Sequence, residues 1–137
     1  MTWFWGESMT GAPTRTVLLA DASADNRRPL QQALSQAGFA VTEVGNGVAA
    51  MEAVNAAAFD VVVTDVWMPG ADGIEVIQST RKTLPLAAIF VVTGGGPGMT
   101  IASAAALALV WGARKVYVKP FEISDLIGEI VALFPLI

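Results

Sequence analysis

The chain has 137 residues, 54% of them hydrophobic and 15% charged, which suits one domain with a real core and excludes a disordered chain. A net charge of −4 argues against general nucleic-acid binding. With no cysteine and no histidine, disulfides, zinc–thiolate sites and the commonest general base are absent, so any chemistry must rest on carboxylates, hydroxyls and lysine.

Residues 1–13 read as a tail in which Trp3, Phe4 and Trp5 fray from the fold. They lack the basic start and long apolar run of a signal peptide. From Thr16 a rhythm sets in. "TVLLAD" is a short apolar strand that ends in an acid. "SADNRRPLQQALSQAG" places Leu30, Ala33, Leu34 and Ala37 at helical spacing, with Gly38 suited to the C′ position; Pro29 fits a first turn better than an interior. "FAVTEV" is a second strand, and "NGVAAMEAVNAAA" a helix with Val48, Met51 and Val54 on one face. "FDVVVTD" is a third strand. After the Met68–Gly73 turn a helix runs to Thr83 with Asp72 as its N-cap. "AAIFVVT" is the fourth strand and "GGGPG" its exit loop. Met99 to Trp111 forms a helix, "KVYV" a fifth strand at 115–118, and residues 123–134 a last helix. The apolar run from Ile101 to Trp111 is shorter than the roughly 20 residues that a bilayer requires.

Five apolar strands alternating with five helices predict an α/β fold, a doubly wound parallel sheet covered on both faces. In such folds the functional crevice lies at the carboxyl ends of the strands. Asp21, Asp65, Thr93 and Lys119 each stand at or just after such an end. An acid, an acid, a hydroxyl and an amine on four strand tips are expected to converge in one crevice. The stretch "TGGGPG" lacks the Lys-Ser/Thr ending of a phosphate-binding loop and reads as a flexible exit.

"VLLAD" followed by "DNRR", then "DVWMPGADG", "VVT" and "VKPF", resemble in combination the receiver domain of two-component response regulators. The resemblance runs from Thr16 to the C-terminus, and implies a receiver domain over residues 14–137. It implies a flavodoxin-like sheet of strand order 2-1-3-4-5. It also implies Asp65 as the phosphoacceptor, whose carboxylate attacks a phosphoryl group to give an acyl phosphate, Thr93 as the hydroxyl that binds a phosphoryl oxygen, and Lys119 as the amine that pairs with the acid. Lys119 would precede a cis proline at Pro120. Mg2+ would be held by Asp21, Asp65 and the backbone carbonyl of Trp67. The implied partners are a sensor histidine kinase or histidine phosphotransfer protein and a downstream protein target, in the cytoplasm, with neither nucleic acid nor membrane involved.

The sequence departs from that pattern in four places. Receivers usually carry two adjacent acids at the end of the first strand; here Asp21 is followed by Ala22, which predicts weakened metal binding, and Asp25 does not stand in. Val116 occupies the place of an aromatic switch residue, and the neighbouring Tyr117 points to the opposite face. Trp67 lies two residues after Asp65, where it would overhang the site and hinder attacking water. The helix over 99–111 is apolar nearly all round, as in helices buried on every side. In a receiver it lies on an outer face with strand 115–118 and helix 123–134, where an apolar patch marks an interface for a homodimer or a stable partner.

The function read from these residues is a phosphoryl-accepting receiver that signals through protein contacts. It is not an enzyme beyond its own phosphorylation and dephosphorylation. The alternative is a pseudo-receiver, the same fold serving as a phosphorylation-independent interaction or dimerisation module, which Ala22 and Val116 favour. An aspartyl-phosphate phosphatase would need a second acid at Trp67. The chain stops just after its last helix, so the expectation is either an output through a partner protein or a domain excised from a longer protein.

Overall fold

In the computed structural model, which describes residues 14–94 and 98–135, the sequence builds five parallel strands and five helices in strict alternation. They are β1 (Thr16–Ala20), α1 (Ala24–Gln36), β2 (Ala40–Val44), α2 (Gly47–Ala56), β3 (Val61–Asp65), α3 (Gly73–Thr83), β4 (Ala88–Thr93), α4 (Ile101–Val110), β5 (Lys115–Val118) and α5 (Ile123–Ala132). The strand order is β2-β1-β3-β4-β5, as the resemblance implied. Trp3 to Trp5 and the centre of the glycine-rich exit loop, residues 95–97, lie outside the described residues.

Period-2 alternation divides the strands between two cores. Val17, Leu19, Val61, Val63, Phe90, Val92 and Tyr117 face Leu30 and Leu34 of α1 and Leu126 and Ile130 of α5. On the other face Ile89 and Val91 meet Ile77 of α3 and Ala104 and Ala108 of α4. There Leu18, Ala20 and Val62 meet α2 and Val76 of α3. Every residue of β3 is buried, since neighbours flank it on both edges and helices cover both faces.

Two local expectations are corrected. Pro29 lies inside α1, because Ser23 already caps the helix by accepting from the Asn26 amide. The Asp25 carbonyl that Pro29 leaves without a donor belongs to an exposed turn, where water can serve it. In α2 the inward stripe is Gly47, Ala50 and Val54, while Val48 is half exposed. A Cβ on Gly47 would lie 1.7 Å from the Ala71 carbonyl oxygen, so α2 is rolled to press its one residue without a side chain against that loop. Gly38 ends α1 as expected: at φ 99° it lets the Phe39 amide donate to the Leu34 carbonyl and its own amide to Ser35.

Gly47→Ala is therefore expected to lower the unfolding free energy by about 2–4 kcal/mol, as overpacking against rigid backbone does. Gly128→Ala, at an exposed α5 position with open space around it, is expected to raise it by about 0.5–1 kcal/mol. Urea denaturation of both variants beside the wild type measures the two effects.

Candidate functional site

The parallel register brings the strand ends level, with Ala20 opposite Thr64, Asp65 opposite Val92, and Thr93 opposite Val118. Asp21, Asp65, Thr93 and Lys119 thus meet along one edge of the sheet. The Lys119 ammonium donates to Asp21 Oδ2 at 2.9 Å and to Asp65 Oδ2 at 2.6 Å. Each acid's remaining oxygen accepts a backbone amide, Ser23 N–H to Asp21 Oδ1 at 2.9 Å and Trp67 N–H to Asp65 Oδ1 at 3.2 Å. All four carboxylate oxygens are therefore oriented by the protein. Asp21 is 2% exposed and Asp65 8%, while the Lys119 side chain is 24% exposed, so the acids are enclosed and the ammonium lies towards solvent. Thr93 is fully buried at the adjoining tip, and its carbonyl accepts the Lys119 amide at 2.8 Å. The Lys119–Pro120 peptide is cis.

Burial works against the charge on Lys119. The hydrogen bonds to Asp21 and Asp65, together with their negative charges, outweigh that effect and hold the ammonium above its ordinary value. Two carboxylates and one ammonium leave the crevice with an excess negative charge. It is suited to a further cation.

The turn after Asp65 is fixed by backbone contact. Gly73 donates to the Val66 carbonyl at 2.7 Å, and a Cβ there would lie 2.0 Å from the Asp65 carbonyl oxygen. Asp72 caps α3 by accepting the Glu75 amide at 3.0 Å, as expected. The partly buried Trp67 is packed, as Ile74, Met99 and Val116 also are, against the buried cluster to which α3 and α4 contribute, so its ring is held by that face rather than left free above Asp65. Its Nε1 is the one buried side-chain nitrogen or oxygen without a hydrogen-bond partner among the described residues. An enclosed donor of this kind costs about 1–3 kcal/mol. Val116 and Tyr117 face opposite sides of the sheet, as strand alternation required.

Arg27, which the sequence reading did not single out, supports the site from α1. One of its nitrogens bonds the Asp21 carbonyl, and Nε donates to Glu43 at 3.2 Å. Its one sequence signal is its place a single turn beyond the Ser23 cap, facing back towards the strand end.

An oxygen-only donor set suits a hard divalent cation such as Mg2+. Asp21 and Asp65 fit that role, since a single cation, the Lys119 ammonium, already bridges them. Ala22 adds no oxygen, and no cluster of three or more His, Cys, Asp or Glu suited to a metal is found among the described residues.

The response regulator receiver domain matches residues 17–131. The chain belongs to the response regulator receiver family. It is 36% identical over 121 residues to the response regulator receiver protein CpdR of Brucella abortus, covering 85% of this chain and 93% of that one. It is 35% identical to the DNA-binding transcriptional regulator NtrC of Rhizobium meliloti, covering 89% of this chain but only 24% of that protein. Among solved structures, the beryllofluoride-activated NtrC4 receiver domain dimer superposes with a TM-score of 0.76 at 27% identity, covering 87% of this chain and 95% of that one. Receiver domains are signalling modules of two-component systems and not enzymes in the ordinary sense. No helix among the described residues is long and apolar enough to cross a membrane.

Lys119→Met removes the cation and leaves two nearly buried carboxylates facing each other, a loss of about 2–4 kcal/mol at neutral pH. Because the folded-state value of Lys119 lies above the usual 10.5, its contribution is fully present below that pH and fades as pH rises through the higher folded value. The wild-type minus variant difference in urea stability is thus expected to be flat from pH 7 to 9.5 and to shrink above the usual lysine value of 10.5.

Proposed function

We propose that this receiver accepts a phosphoryl group on Asp65 and relays that state through protein contacts. The single observation that carries the reading is the shared ammonium: Lys119 bonds Asp65 at 2.6 Å and Asp21 at 2.9 Å in one crevice at the strand ends. Two acids from separate strands are thereby joined to one amine at the carboxyl ends of the sheet, beside the Thr93 tip. In this reading Asp65 is the nucleophile, its free Oδ lone pair attacking the phosphorus of a donor while the donor's leaving group departs. Lys119 neutralises the phosphoryl oxygens, and the Thr93 hydroxyl takes one of them. Asp21, Asp65 and the Trp67 carbonyl hold Mg2+, which supplies charge neutralisation when bound. The donor is a sensor histidine kinase or a histidine phosphotransfer protein.

The surface of α4 supports an output through contacts. Ala104 and Ala108 are buried, yet Leu109 is 50% exposed and Val110 77%, beside Trp111 and, on β5, Val118. This helix carries no charged residue. The face of α4, β5 and α5 is the surface for a second copy or a downstream protein. In sedimentation velocity the wild type is expected to associate as concentration rises, and Val110→Glu to remain monomeric.

Beryllofluoride, a mimic of the phosphoryl group on aspartate, tests the site. With tens of millimolar Mg2+, it is expected to give a saturable change in tryptophan fluorescence that Asp65→Asn abolishes. Ala22→Asp is expected to lower the Mg2+ concentration required by about tenfold, through one added carboxylate. No response in the wild type and a response in Ala22→Asp would identify the natural chain as a pseudo-receiver.

A further inference from the structure

We infer that the chain's own N-terminal segment, Trp3, Phe4 and Trp5 followed by Glu7, docks in a pocket at the amino ends of the strands. That pocket lies at the other end of the sheet from Asp65, so the inference stands apart from the phosphoacceptor reading.

The pocket holds about 590 Å3, within the range of ordinary ligand sites. Arg15 stands before β1, Asp60 before β3 and Arg114 before β5, and the ends of α3 and α5 close its sides. Its apolar wall is formed by Leu84, Leu86, Leu133 and Phe134. Leu86 is 97% exposed, so almost its whole side chain is open to an occupant. Part of the wall is set by contacts of its own. Phe134 meets Phe39 edge to face at 6.1 Å, and the Arg15 guanidinium lies 4.9 Å over the Phe134 ring while pairing with Asp60 at 3.7 Å. Arg114 has no ion pair among the described residues. Exposed apolar surface beside an unpaired cation fits an aromatic segment that brings an acid.

Position, length and composition select the N-terminus as that segment. Residues 1–13 lie outside the described residues, and the described chain starts at Thr14, next to Arg15 on the pocket rim. This root is tied down, since the Thr16 amide donates to Asp60 Oδ2 at 2.8 Å. Nine residues, Gly6 to Thr14, join the aromatic run to the rim. Extended, they span about 30 Å, more than such a pocket requires. A tether this short presents its end at an effective concentration on the order of millimolar. The indoles of Trp3 and Trp5 are the best ring partners for an arginine. Glu7 is the one charged side chain among residues 1–13, and it matches Arg114. Docking takes the aromatic rings and Leu86 out of water together, which is the driving force that an ordinary fraying terminus lacks.

The chain has no cysteine, so a nitroxide on Thr2→Cys is the sole spin label in the whole protein. In NMR it is expected to broaden away most of the amide signal of Leu86, Arg114 and Phe134, and to spare Ala22 and Val66 at the far end of the sheet. Leu86→Ser, at an almost wholly exposed position, and the pair Trp3→Ser and Trp5→Ser are each expected to restore those signals, with the remaining amide spectrum unchanged as the check on folding. In a mixture of isotope-labelled chains without nitroxide and nitroxide-labelled chains without isotope, no broadening is expected. Equal broadening in that mixture would overturn the inference by seating the segment on a second copy. Broadening confined to Arg15 and Thr16 beside the root, or centred on Val110 and Trp111, would overturn it as well. So would broadening at the pocket that persists in both variants.

Discussion

The Lys119 ammonium standing between two nearly buried carboxylates is the interaction on which the rest of the site depends. A lone carboxylate as deeply enclosed as Asp21 would be strongly disfavoured, and two side by side more so. The ammonium makes the pair tolerable, and the amides of Ser23 and Trp67 take the remaining oxygens. Because three charges leave one negative in excess, the crevice is stable as it stands and still attracts a cation. That combination suits a site that must wait unmodified and then accept a metal and a phosphoryl group.

Such a network needs a rigid frame, which the sheet and the β3–α3 turn provide. Four strands deliver their ends in register, so the acids and the amine reach a common point without long flexible arms. Beyond Asp65 the chain has no room to relax. Gly73 lies against the Asp65 carbonyl, and Gly47 against Ala71, so α2, the turn and α3 form one packed unit. Arg27 braces the opposite side by tying the Asp21 carbonyl to β2 through Glu43. Within this frame Trp67 is the exception, a partly buried ring whose nitrogen is left without a partner.

The departures from the usual receiver pattern are spatially related. Ala22 removes an oxygen from the metal side of the crevice, Val116 removes an aromatic from the α4 side, and Trp67 packs against the same buried cluster as Val116. The apolar α4 lies directly over this region, with Ala104 and Ala108 against the shared cluster. Changes at the acid and at the outer surface are therefore a few side chains apart, through contiguous packing.

Much of this protein was determined by its sequence alone. Alternating apolar strands and helices, the Asp72 and Gly38 caps, and the placement of Asp21, Asp65, Thr93 and Lys119 at strand ends all follow from local rules of burial, periodicity and capping, and the structure bears out the sheet order implied by the family motifs. What local rules cannot reach are choices made by distant backbone. The roll of α2 is set by the Ala71 carbonyl across from Gly47, not by the apolar spacing of Val48, Met51 and Val54. The apolar α4 shows no preferred face in its sequence, and only its docking on Ile89 and Val91 decides that Ala104 and Ala108 turn inward while Val110 remains outside. The same holds for Trp67: its proximity to Asp65 is written in the chain, but its packing against the shared cluster and its unpartnered nitrogen exist only once β4, α3 and α4 have packed together.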